Sequence, residues 1–267
     1  MPDARSAASP PPSPAPIAAT AVVESGAVLG ADVRVGHFAV IEAGAVLGDG
    51  CQVGHHAVVR AGSRLGAGVR LDEGAVVGKR PMRAARSATT TAGADLAPAE
   101  VGAGTLVGAY AVVYAGCRIG ARVLVADGAT VREDVTVGDE TIVGRGVAIE
   151  NGCRVGARCK LETNAYLAAF TTVEDDVFVA PGVLTSNDAY LARTDARKAA
   201  FGGPTLREGA RIGVGAVLLP GREVAPEAVV GAGAVLTRDA AAERVHVGVP
   251  ARDTRPVAPE QLRRNGG

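Results

Sequence analysis

Tryptophan is missing from these 267 residues, and aromatic side chains of all kinds make up only 3%. A rounded globular core of this length draws heavily on rings. Their scarcity argues against such a core and points to a narrow interior of small and β-branched residues. Neither sign of charge is in excess: 28 basic residues balance 28 acidic ones, so no global field favours nucleic acid or an anionic bilayer. No apolar stretch approaches the ~20 residues that a membrane-spanning helix needs. Residues 1–16 (MPDARSAASPPPSPAP) lack the apolar centre of a secretion signal and read as a disordered, proline-rich tail, with the cytoplasm as the expected location. The four cysteines follow neither a disulfide nor a metal spacing. The four histidines include no His-x4-His pair, and no metal is expected.

What is present is a beat of six. Aliphatic residues recur at every sixth position from Val23 through Leu29, Val35 and Ile41 to Val77, again from Val101 to Val179, and again from Leu206 to Leu236. A period of six fits neither a helix nor a lone strand, so it belongs to a higher-order repeat. Each hexad reads as a short strand followed by a tight corner, for which the 36 glycines are suited. Three hexads make one triangular coil, and residues 18 apart stack on one another. The three blocks hold 10, 14 and 6 anchors, giving about ten coils in an all-β prism with parallel strands. Cys51, Cys117, Cys153 and Cys159 each stand two positions before an anchor, where the other hexads carry small residues; they read as small buried hydrophobes.

Two segments break the beat. Residues 79–100 form a basic loop holding Lys79, Arg80, Arg83 and Arg86, with no acid before Asp95, and residues 180–205 form a second loop. Insertions at corners leave a solenoid's core intact and are a usual place for function. The expected organisation is therefore a tail at 1–16, the β-helix at 17–250 and a C-terminal tail at 251–267, the chain leaving the prism after Leu236.

The hexapeptide repeat resembles the left-handed parallel β-helix acyltransferase superfamily, and the left hand is implied by that resemblance alone. Within it, Thr185-Ser186-Asn187-Asp188, Gly202-Gly203-Pro204-Thr205-Leu206, Gly78-Lys79-Arg80-Pro81 and Glu162-Thr163-Asn164 resemble enzymes that N-acetylate nucleotide-linked amino sugars of the 3-amino-3,6-dideoxyhexose type. The resemblance implies an acetyl-CoA donor, a small-molecule amino-sugar nucleotide acceptor, a homotrimer with sites between subunits, and catalytic roles for Asn187 and Asp188. A carboxylate near an amine can hold the ammonium and take its proton; an Asn-Asp pair is equally at home in any turn.

The remaining candidates are placed by the repeat. Ala216 and Ala234 are 18 apart in Gly-Ala-Val-Leu runs, small corners beside which a pantetheine arm could lie, with Arg238 and Arg252 for the coenzyme's phosphates. Lys79 and Arg80 suit a diphosphate, or are simply a solvated loop. Glu162, Asn164 and Tyr166 are candidates for sugar or base contacts. His37 and His55 are also 18 apart and should stack at the start of the prism, far from the second loop, which contains no histidine. Other readings of the same fold are a different acceptor or an acyl carrier protein donor, and a non-enzymatic binding prism. A γ-type carbonic anhydrase requires the missing His-x4-His.

Overall fold

The structure is a computed structural model that describes residues 16–83, 85, 87–90 and 96–263. The expected tail up to Ala15, Arg86 and Asp95 lie outside the described residues. The chain winds as a three-sided parallel β-helix. We label the faces I, II and III in winding order, starting from Val22–Val23, Val28–Leu29 and Arg34–Val35. Away from the insertions and the C-terminal end, each strand pairs in parallel with the one 18 residues on, as Val22↔Val40 and Val23↔Ile41 do. Across the insertions the spacing widens to 36 or 33, as in Val76↔Val112 and Thr172↔Thr205.

Most strands are two residues long, which leaves one side chain out and one in. The inward one is the sixth-residue anchor: Ile41, Leu71, Ile149, Leu161 and Leu218 are all buried, each contributing ~1.5–3 kcal/mol of burial. The faces carry 11, 10 and 12 strands, more than the ten coils expected. Face II holds the expected number. The surplus is Leu184–Thr185 on face I, which continues the prism inside the segment expected as the second loop, and two strands on face III after Leu236. After Leu236 the chain does not leave the prism: Arg244–Val247 pairs in parallel with Val229–Val230. Arg252–Pro256 then closes antiparallel on that strand. The hexad beat missed this coil because it is two residues short: Val230 pairs with His246, 16 residues on, and the buried histidine takes the inward position off the beat. Val245, Val257 and Leu262 form a small second core beside it.

The corner position two before each anchor also points inward; Thr171 there donates to the Ala168 carbonyl of its own coil, but six other polar residues follow one rule. Each donates to the carbonyl 15 residues ahead: Cys51 to Gly66, Thr105 to Gly120, Cys117 to Arg132, Thr141 to Gly156, Cys153 to Ala168 and Cys159 to Glu174. The cysteines are thus buried as expected, and they also serve as weak donors. Burial pushes the Cys117 and Cys153 thiols up to about 12 and Cys159 up to about 11, so they are unreactive.

The outward residues differ by face. On face I they are apolar except for Thr130, with Val40, Val58, Val76, Val112, Tyr166 and Leu184 among them. Face II presents Arg64, Glu100, Arg118, Arg154 and Glu223 among its outward residues, and face III is mixed.

Candidate functional site

Both insertions open from one edge. The first leaves face I after Val76–Lys79 and rejoins face II at Glu100–Val101; the second leaves face I after Leu184–Thr185 and rejoins face II at Thr205–Leu206. Corner I–II between them is built from two columns at 18-residue spacing: Tyr114, Arg132, Glu150, Ala168, Ser186, and beside it Ala115, Glu133, Asn151, Ala169, Asn187. At ~4.8 Å per coil the columns run ~19 Å.

The first loop folds back along this corner. Thr90 Oγ1 accepts from Arg132 Nη2 at 3.0 Å and the Thr89 carbonyl accepts from Asn151 Nδ2 at 3.1 Å. Arg132 is held by both Glu133 oxygens, Nε–Oε2 at 2.8 Å and Nη2–Oε1 at 3.0 Å. It also reaches Glu150 Oε2 at 3.1 Å and lies 5.2 Å from the centre of the Tyr114 ring, with Lys79 Nζ 4.9 Å from the same centre. One guanidinium thus serves two carboxylates. Glu133 is buried, whereas the Glu150 side chain is 24% exposed. Burial raises the Glu150 pKa above the usual carboxylate range; Arg132 opposes the rise and Glu133 adds to it. Tyr166, outward on face I, is raised by burial and then by Glu150. Among the described residues the buried Asn151 Oδ1 has no hydrogen-bond partner.

At the root of the first loop lies a cavity of about 940 Å³ lined by Lys79, Arg80, Arg83, Arg60, Glu42 and Ser63 among others. Ser63 occupies an inward corner position, so its hydroxyl should donate to the carbonyl of Gly78. The strand bulges between Val77 and Lys79 as the loop departs, and Ser63 Oγ is left buried without a partner. A smaller cavity of about 610 Å³ lies at the start of the prism. There His37 and His55 stack at 5.4 Å, as their spacing foretold. The His37 N–H donates to His55 Nδ1 at 2.8 Å.

In the second loop, Asp188 is committed to the loop itself. Its oxygens accept from Tyr190 N–H and Ala192 N–H, both at 2.9 Å, and from Arg197 Nη1 at 3.2 Å. Burial alone would raise this carboxyl, but the Ala192 and Tyr190 N–H groups and Arg197 hold it below its ordinary value. The Asn187 carbonyl accepts from Gly202 N–H at 3.1 Å, closing the neck of the loop.

The other candidates divide between two corners. Arg238 follows Val235–Leu236 on corner I–II. Glu162, Asn164, Ala216 and Ala234 lie on corner III–I, across face I, and within one chain they do not meet the second loop. Ala216 and Ala234 point inward and are fully buried, with their N–H groups bonded to Gly213 and Gly231. The open positions are their neighbours. Gly182, Gly215 and Gly233 have positive φ, and nothing stands within 4 Å of where a Cβ would be. Arg252 begins the closing strand. Sequence reasoning missed Tyr114, Arg132, Glu133, Glu150 and Asn151; stepping back from Ser186 and Asn187 by 18 would have found all five.

Among the described residues no group of three or more His, Cys, Asp or Glu side chains is placed to hold a metal, and no helix is long and apolar enough to cross a membrane. The bacterial transferase hexapeptide (six repeats) model matches residues 98–133. No curated protein matches the sequence. Among solved structures, a UDP-N-acetylglucosamine acyltransferase from Arabidopsis is similar at 22% identity and TM-score 0.63, over 94% of this chain and 77% of its own. A second from Bacteroides fragilis is similar at 19% identity and TM-score 0.49, over 94% and 78%. The chain thus carries the transferase hexapeptide repeat over residues 98–133 and shares the stacked-coil β-helix fold of the Arabidopsis enzyme.

Proposed function

We propose that the protein is an acyltransferase that moves the acetyl group of acetyl-CoA to the amine of a nucleotide-linked amino sugar, working as a homotrimer with sites between subunits. The observation that carries this is the walled corner I–II. Its first loop sets Lys79, Arg80 and Arg83 around a cavity suited to a diphosphate, and carboxylates, which suit an amine, stand further along the same edge. Asn187 and the loop braced by Asp188 close its far end.

The apolar face I supports the assembly. Leu184 is 49% exposed and Tyr166 37% exposed in the single chain, on the face with the fewest polar side chains. A threefold arrangement that turns face I toward the axis sets corner III–I of one copy beside corner I–II of the next. The open Gly182-Gly215-Gly233 column, underlain by Ala216 and Ala234, would then carry the pantetheine arm of one protomer toward the acceptor of its neighbour. Arg238 and Arg252 would meet the coenzyme's phosphates, and Glu162, Asn164 and Tyr166 the sugar or base. A free backbone N–H along this corner would stabilise the tetrahedral oxyanion.

Thermal unfolding with added ligand tests the reading, since a ligand specific for the folded state raises its stability by mass action. Acetyl-CoA should raise the melting temperature, and a nucleotide-linked amino sugar should raise it further. No response to acetyl-CoA at millimolar concentration would refute the proposal.

A further inference from the structure

Glu150 and Glu42 stand in the same corner column, yet their surroundings are opposite. Glu42 accepts the Ala61 N–H at 2.9 Å and pairs with Arg60. Glu150 receives no backbone N–H from the described residues. Its one cation, Arg132, is already neutralised by the two-point contact with Glu133. The trio therefore carries one uncompensated negative charge, located on its more exposed member. Next to Glu150 in sequence, Asn151 is 6% exposed and keeps a buried carbonyl oxygen with no donor among the described residues. Two acceptors on the same corner, between the two loops, served only by a guanidinium that Glu133 already holds at two points, leave a place for a group that brings N–H hydrogens and positive charge.

We infer that Glu150 is the catalytic base for the acceptor amine, with the Asn151 carbonyl oxygen orienting the same nitrogen. This rests on the N-acyltransferase reading and assigns the proton to a residue other than Asp188, whose oxygens are already engaged. The acceptor arrives as an ammonium paired with Glu150 and loses its first proton to solvent by way of that carboxylate, which is again ionised when the amine attacks. The neutral nitrogen attacks the thioester carbonyl, forming the C–N bond. The C–S bond breaks, and the thiolate of coenzyme A leaves. The surplus N–H proton passes to Glu150 and on to the thiolate, giving the amide and free coenzyme A. Glu133 and Arg132 are positioning residues, and Thr90 ties the first loop to them.

The titration of Glu150 is shifted first by burial, then by Arg132 downward and Glu133 upward. Tyr166 and Cys153 stand near enough to be shifted by it, and Tyr114 and Lys79 lie against Arg132. Burial of the carboxyl brings it closer to neutral pH, where a base works best.

The test is the full-length protein with acetyl-CoA and a panel of nucleotide-linked amino sugars, 3-amino-3,6-dideoxyhexoses included, followed by thiol release from pH 5 to 9. Glu150→Gln should lower kcat by about 100-fold or more, leave the KM for acetyl-CoA unchanged, and abolish the acidic limb of the pH profile. Its melting temperature should equal or exceed that of the wild type, because an under-compensated charge has gone; a merely structural role predicts a fall. Glu150→Asp should recover part of the rate. Wild-type turnover with E150Q matching it in kcat and pH profile would overturn this assignment while leaving the enzyme reading intact. No turnover by the wild type with any acceptor would overturn both.

Discussion

Corners II–III and I–II are made of the same hexads and treat their polar side chains differently. At II–III they turn back onto the coil. Asp49, Asp139 and Asp175 accept the N–H groups of Ala31, Ala121 and Ala157 one coil earlier. Thr105, Thr141, Cys51 and Cys159 donate to carbonyls. Corner I–II begins in the same manner, with Glu24 and Glu42 accepting from Ala43 and Ala61. Around the first insertion and beyond it, groups are left over among the described residues: the Ser63 hydroxyl and the Asn151 carbonyl oxygen have no partner, and two carboxylates, Glu133 and Glu150, share one guanidinium. A corner whose hydrogen-bonding capacity is consumed by the coil is scaffold. One with buried capacity left over is arranged for something outside the chain.

The largest expected effect concerns the faces that flank these corners. Val58→Glu puts a charge on apolar face I and should reduce the light-scattering mass from trimer to monomer, whereas Arg118→Glu on face II should leave it unchanged. Equal behaviour of the two would remove the assembly argument.

Next is a matched pair of hydroxyl deletions. Thr141 Oγ1 donates to the Gly156 carbonyl and accepts the Cys159 N–H. Thr141→Val strands both and should cost ~1–3 kcal/mol in denaturant unfolding. Ser63→Ala removes an unpaired hydroxyl and should change stability by less than ~0.5 kcal/mol. A larger loss at Ser63 than at Thr141 would reverse the distinction between the corners.

The smallest effect is electrostatic, and its sign differs by corner. At II–III, the Arg158 hydrogen bonds hold Asp176 below its ordinary value against the opposing effect of burial, with Arg263 assisting. It therefore adds stability above the usual carboxylate range, and this is lost as pH falls through the lowered value. Glu150 is raised, so its contribution has the opposite sign: stability falls as pH rises from the usual range through the raised value. In melts from pH 3 to 8, Asp176→Asn should flatten the acid side, and Glu150→Gln should remove the decline above it.

The repeat was legible because each anchor from Val35 onward is dictated by a narrow core, and the stacking of His37 on His55 followed from their spacing. The closing coil was not, since it is two residues short of the 18-residue spacing, with Val230 paired to His246, and so falls off the beat. Spacing also directed attention to Ala216 and Ala234, whereas the open surface belongs to Gly215 and Gly233 just before them. A period fixes which residues share a corner, not which of two neighbours faces in. The hardest feature to read was the return of the first loop. Thr89 meets Asn151 and Thr90 meets Arg132 across 62 and 42 residues of chain, and nothing periodic records a loop lying back over coils made later.

A crystal structure with coenzyme A and a nucleotide-linked amino sugar tests the central claim most directly. The account predicts the sugar nitrogen within hydrogen-bonding distance of Glu150 on corner I–II of one protomer. The sulfur of coenzyme A should arrive along corner III–I of its neighbour. Either ligand seated on corner II–III, or the nitrogen lying remote from Glu150 and Asn151, would contradict it.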